Sequence, residues 1–176
     1  GQENIPKDRA VLYIGNHRSY FDILVTYTTV PGSCGFVAKK ELSRIPLLKN
    51  WMELIHCLFL DRSDIKQGLQ MILSGCEEIK SGTSICIFPE GTREKEGRLL
   101  PPKSGLFVIA AQAGVDVVPV RIRYDTPDGK MRLFCRVNVI YGEPMPAAQF
   151  AMESRRDMKV LRANKQALLD AWEQLK

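Results

Sequence analysis

The chain has 176 residues, of which 45% are apolar and 26% charged; these proportions fit one folded domain with a sizeable core and exclude an intrinsically disordered chain. Lysine and arginine outnumber aspartate and glutamate 25 to 20, which suits an anionic partner (a phosphorylated metabolite, a membrane surface or a nucleic acid) without choosing among them. No apolar run reaches the ~18–20 residues that cross a bilayer as a helix, and the five cysteines form no CxxC pair or Cys/His cluster, so reduced, buried thiols in a reducing compartment are expected rather than a metal site.

In chain order, the polar start "GQENIPKDR" carries no signal-peptide pattern and begins at glycine, and an N-terminal segment is expected to be missing from the chain. Short β-rich runs then alternate with helical patterns. Strands are predicted at 10–15, 34–39, 57–62, 84–89, 115–124 and 131–142, and helices at 20–29, 41–54, 64–80, 103–113 and 154–175. Such alternation predicts an α/β fold: a single domain over 1–176, with a largely parallel sheet flanked by helices. "TPDG" at 126–129 reads as a hairpin turn, which makes the sheet mixed at that end. The last helix spaces Leu161, Leu168, Leu169 and Trp172 helically, as a core-packing face does.

Polar residues fall at or just past the ends of four strands: Asn16 and His17, Lys39, Arg62, then Glu90 and Arg93. Ligands of open α/β sheets bind outside the carboxyl ends of the strands. In "GNHRSYFD" (15–22), His17 and Asp22 would point roughly 140° apart on one continuous helix. They can meet if His17 lies in a strand-to-helix turn, with Ser19 capping the helix and Asp22 in its first turn. An imidazole so oriented is a general base. The alternative is a surface turn histidine beside a cap residue. His56, in the apolar "ELIHCLFL" with no acid beside it, reads as structural.

"ICIFPEGTR" (85–93) runs from a buried strand into a turn. Gly91 permits close backbone approach, Thr92 offers a hydroxyl and Arg93 a guanidinium suited to phosphate. In "EKEGRLLPPKSG", Lys103 opens the next helix and, with Gly105, is predicted to form a second anion-binding element. "SRIPLLKNWMELI" (43–55) gathers Ile45, Leu47, Leu48, Trp51 and Met52 around a proline, either packing on the sheet or meeting a lipid surface.

"NHRSYFD", "FVAKKEL", "LFLDRSD", "FPEGTR" and "VVPV" occur in this order over residues 10–124. Together they resemble the motif series of the 1-acylglycerol-3-phosphate acyltransferase (lysophosphatidic acid acyltransferase) family. One departure is His56-Cys57, where the family often has glycine before its "IFxxR" strand. The family's N-terminal membrane-associating helices are also absent from this chain.

The resemblance implies a glycerolipid acyltransferase-like fold. It implies His17 as general base and Asp22 as its orienter, with Arg62, Glu90, Gly91 and Arg93 at the acceptor phosphate and Thr92, Lys39 and Lys103 as helpers. The reaction implied is acyl transfer from acyl-CoA or acyl carrier protein to the sn-2 hydroxyl of lysophosphatidic acid, giving phosphatidic acid. It implies no metal, no cofactor beyond the thioester co-substrate and no nucleic acid, and a place at the cytoplasmic face of a membrane, peripheral or held by a segment outside this chain. Glycerol 3-phosphate or another lysophospholipid is an alternative acceptor. Thioester hydrolysis and a non-catalytic module for anionic lipids are the competing classes.

Overall fold

In the computed structural model, residues 1–61, 64–94, 98–127, 132, 134–152 and 157–175 are described. Strands β1 (Leu12–Gly15), β2 (Cys34–Lys39), β3 (Leu58–Leu60), β4 (Ser84–Ile87), β5 (Val117–Tyr124) and β6 (Val137–Tyr141) form one sheet in the order β3-β2-β4-β1-β5-β6. Every pairing is parallel except β5 with β6. The central strands are buried on both faces, which explains their continuous apolar runs: all four residues of β1 and of β4 are buried.

Helices cover both faces. α3 (Ile65–Lys80), α4 (Phe107–Ala113) and α5 (Met158–Gln174) close one side, where Leu12, Ile14, Ile85 and Ile87 pack with Ile79, Ile109, Leu168 and Trp172. α1 (Phe21–Tyr27) and α2 (Pro46–Leu54) close the other, over Tyr13, Phe36, Cys86, Val120 and Ile122. As expected, α5 packs into the core: Leu161, Leu168 and Trp172 are buried and Leu169 lies against them. Its Trp172 indole N–H donates to the Ile14 carbonyl of β1 at 3.2 Å. The Arg121 guanidinium of β5 donates to the carbonyl of Trp172 at 2.9 Å. Cys34, Cys57, Cys76 and Cys86 are buried free thiols, and Cys135 is half-buried.

Element ends differ from the sequence prediction for local reasons. Residues 40–44 form a 3₁₀ turn, and α2 starts only at Pro46, which suits the first helical position because it has no N–H to satisfy. α4 likewise starts at Phe107 after a 3₁₀ turn at 104–106, so Lys103 precedes the turn rather than opening the helix. β4 stops at Ile87, ahead of Pro89, which cannot donate to a ladder. β3, β5 and β6 are each shorter than predicted, and the turn expected at 126–129 lies partly outside the described residues.

The reading of His56 needs correction. Its ring is exposed rather than set in the core, and Nδ1 lies 2.9 Å from Oε2 of Glu78, an acidic partner brought from α3. His56 adopts φ 58° in the turn between α2 and β3, a value that among the described residues no other non-glycine shares. Left-handed backbone favours glycine. His56 is thus an L-residue held in a glycine-like conformation.

Candidate active site

β1 ends between β4 and β5, so the turn after it faces the loops that follow both neighbours. The side chain of Asn16 extends the ladder. Its amide donates to the carbonyl of Ile122 at 3.0 Å and its oxygen accepts from the Ile122 N–H at 2.7 Å. This two-point clasp on β5 fixes where the turn leaves the sheet.

The next residue is His17. Its Nδ1 lies 2.8 Å from Oδ2 of Asp22, which is fully buried. The same carboxylate oxygen accepts the backbone N–H groups of Arg18 at 2.6 Å and Ser19 at 2.8 Å. The other oxygen, Oδ1, accepts the hydroxyl of Tyr124 at 2.5 Å. The expected cap is therefore reversed. α1 has Tyr20 at its N-cap, Ser19 Oγ accepts a 3.2 Å bond from Phe21 N–H, and Asp22 reaches back to hold the turn. A carboxylate that only accepts places the imidazole proton on Nδ1 and leaves Nε2 free as a base. Phe88 stacks on the ring at 4.5 Å and an interplanar angle of 15°, and Phe36 stacks behind Phe88.

The FPEGTR segment leaves β4 beside this turn, and the Glu94 N–H donates to the His17 carbonyl at 2.9 Å. Gly91 has φ 71°, so this position requires glycine. Arg93 is half-buried, with its guanidinium 3.7 Å from the centre of the Tyr20 ring, while Thr92 is exposed.

Glu90 differs from the open rim residue expected. It is buried, neither carboxyl oxygen has a hydrogen-bond partner among the described residues, and burial, with a smaller effect from Glu94, pushes its carboxyl up to about 8. The backbone N–H groups of His17 and Leu100 offset part of that shift without reaching hydrogen-bond geometry. A carboxyl raised in the folded state costs stability as pH rises from its unfolded value through about 8. Glu90→Gln, an isostere of the protonated form, should therefore match the parent at low pH. It should become progressively more stable than the parent up to about pH 8, as urea titrations across that range will read.

Gly91 and Lys103 border a cavity of about 240 Å³ whose walls include Val37, Leu60, Met71, Ile72, Phe88 and Ile109. Phe88 separates this apolar space from His17. Lys39 sits exposed at the end of β2 and does not line the cavity. Arg62 lies outside the described residues. Among the described residues, no group of three or more His, Cys, Asp or Glu side chains is placed to hold a metal ion.

A family model described as Acyltransferase matches residues 1–123. The chloroplastic 1-acyl-sn-glycerol-3-phosphate acyltransferase BAT2 of Brassica napus is 38% identical over 123 residues, covering 69% of this chain and 36% of the relative. The Saccharomyces cerevisiae 1-acyl-sn-glycerol-3-phosphate acyltransferase is 37% identical over 123 residues, or 68% of this chain and 40% of that protein. The chain thus spans well under half the length of these two relatives. The crystal structure of the Thermotoga maritima 1-acyl-sn-glycerophosphate acyltransferase superposes with a TM-score of 0.69 at 28% identity, covering 100% of this chain and 72% of that one.

Proposed function

This chain belongs to the acyltransferase family, and on that premise we propose that it transfers an acyl group from a thioester to the sn-2 hydroxyl of 1-acylglycerol 3-phosphate, giving phosphatidic acid. The observation that carries this reading is the buried Asp22 carboxylate 2.8 Å from His17 Nδ1, in the turn that follows β1. The substrate class rests on the names of those relatives.

In the reaction, Nε2 of His17 takes the hydroxyl proton as that oxygen bonds to the thioester carbonyl carbon. The tetrahedral oxyanion collapses, the C–S bond breaks, and its electron pair leaves with the sulfur of coenzyme A or acyl carrier protein. The imidazolium, stabilised by Asp22, returns the proton to the thiolate. General-base help of this kind contributes roughly 10²–10⁴-fold, and the positioning of both substrates supplies much of the rest.

The acceptor phosphate is assigned to Arg93 with Arg62, assisted by the Gly91–Thr92 backbone, Lys39 and Lys103. Glu90 shapes the turn from beneath. The apolar cavity behind Phe88 takes an acyl chain. Stacking Arg93 on Tyr20 fixes the plane of its guanidinium. Arg93→Lys keeps the charge and loses both the fork and the stack. It should raise acceptor KM about tenfold while donor KM stays near the parent value, as initial-rate kinetics will test.

Incubation with an acyl thioester, with and without 1-acylglycerol 3-phosphate, tests the function. Acceptor-dependent thiol release with phosphatidic acid formed is expected. Release that ignores the acceptor would make the protein a thioesterase, and no release would leave a lipid-binding module.

A membrane surface is the proposed setting. In the 43–55 segment, Met52 and Leu48 turn toward the core, whereas Ile45, Leu47 (86% exposed), Trp51 and Leu54 face outward. Tyr20, Phe21 and Leu24 of the α1 region are exposed as well. No described helix is long and apolar enough to cross a bilayer. Leu47→Ser with Trp51→Ala should weaken sedimentation with anionic vesicles while turnover on detergent-dispersed acceptor persists. Unchanged vesicle binding would place the lipid contact on another surface.

A further inference from the structure

The acid that orients His17 is itself held from across the sheet. Oδ2 of Asp22 is occupied by three donors from its own turn, namely His17 Nδ1 and the N–H groups of Arg18 and Ser19. Oδ1 points the other way and receives the hydroxyl of Tyr124, the last residue of β5, at 2.5 Å. Tyr124 is 102 residues from Asp22 in sequence. They meet because β5 runs parallel to β1 in a register that pairs Gly15 with Val120, and because Asn16 clasps Ile122 two residues before the tyrosine. β5 thus extends past the end of β1 to the level of the carboxylate.

We infer that Tyr124 is a positioning residue for acyl transfer: its hydroxyl holds the outer oxygen of Asp22 and sets how strongly that carboxylate supports a protonated His17. The inference rests on the general-base reading above. A donor on Oδ1 draws charge away from Oδ2 and fixes the plane of the carboxylate. Burial, followed by the Asp22 carboxylate itself, pushes the phenol further above its ordinary range, so Tyr124 remains a donor throughout the pH range of turnover. Removing the hydroxyl returns negative charge to Oδ2 and stabilises the imidazolium, so His17 should hold its proton to higher pH.

Other groups face this cluster. Cys86 of β4 lies within electrostatic reach of Asp22. Ser19 and Cys135 face the phenol. Arg18 and Glu94 act on Glu90, whose carboxyl lies against the His17 backbone and is pushed up to about 8 by burial. Glu90→Gln is therefore the background in which the Tyr124 effect is cleanest.

The chain has only two histidines, so labelled-histidine NMR resolves His17 directly, with His56 as an internal control. In Tyr124→Phe, alone and with Glu90→Gln, the His17 titration should move up by roughly half a unit or more. The acidic limb of the kcat/KM profile should move with it, Tyr124→Phe should leave both KM values near those of the background it is made in, and the His56 titration should not move. If the phenylalanine variant does not fold, uniform 3-fluorotyrosine labelling provides the opposite perturbation. Of the five tyrosines, the one bonded to Asp22 is Tyr124, and its more acidic phenol should move His17 downward.

A His17 titration that stays in place under either perturbation overturns the inference, even if turnover falls, because lost packing alone lowers turnover. Full activity in His17→Ala would instead overturn the general-base reading. In that case the histidine titrations still report whether Tyr124 acts on Asp22.

Discussion

His17→Ala should lower kcat by about a thousandfold or more while leaving the folded state intact. The imidazole is partly exposed, and its principal contacts are Asp22 and the face of Phe88, so its loss opens no core cavity. Asp22→Asn makes a sharper test. An amide oxygen can still accept from the turn, and the position stays filled, but an amide carries no charge to stabilise an imidazolium. A fall on the order of 10²-fold or more is expected at unchanged KM. Circular dichroism and urea titration should establish that both variants are folded. Near-parental turnover in folded His17→Ala would remove the histidine from the mechanism.

Gly35→Ala should be among the most destabilising single methyl additions in this chain. Gly35 lies in β2, paired with Ile85 of β4. An added Cβ would stand 2.1 Å from the carbonyl oxygen of His56 and 2.8 Å from its carbonyl carbon, with Ile85 Cδ1 at 3.0 Å. Those His56 atoms are backbone in a turn already held at φ 58°, so they cannot swing aside as a flexible side chain would. Either β2 moves off β4 or the turn before β3 is rebuilt, and overpacking of this kind costs about 3 kcal/mol. Chemical denaturation should show the midpoint lowered without a change in slope. A loss below about 0.5 kcal/mol would mean that the α2–β3 turn yields easily.

How much was legible in the sequence follows from how local each feature is. The His17–Asp22 pair spans five residues, and a strand-to-helix turn brings them together whatever the rest of the sheet does. The apolar runs and their helical intervals were enough for a mixed α/β fold, because both-face burial leaves continuous Val, Ile and Leu. Tyr124 escaped notice because its role depends on the β1–β5 register, and nothing in "RIRYD" announces a partner 102 residues away. From sequence alone Ser19 reads as the cap, because serine and aspartate compete for the same N–H groups. The charge-assisted bonds favour the carboxylate. His56 sits among apolar letters, yet a turn points it outward to Glu78, since neighbours in sequence are not neighbours in space. Its position after a strand puts Glu90 on a rim, whereas the packed loop buries it.

The indole of Trp172 gives the site a place in the time course of protein synthesis. Its partner, the Ile14 carbonyl, is 158 residues upstream and three positions before His17. At about 5–20 residues per second, a ribosome makes the strand that leads into His17 roughly 8–30 s before it makes the residue that braces it. For that interval the nascent chain already carries the whole NHRSYFD sequence. It lacks the indole that satisfies β1 and the carbonyl that receives Arg121. The region matched by the family model ends at residue 123, so this brace is supplied from beyond it. A chain stalled at that boundary would display every recognisable motif and still lack a finished site.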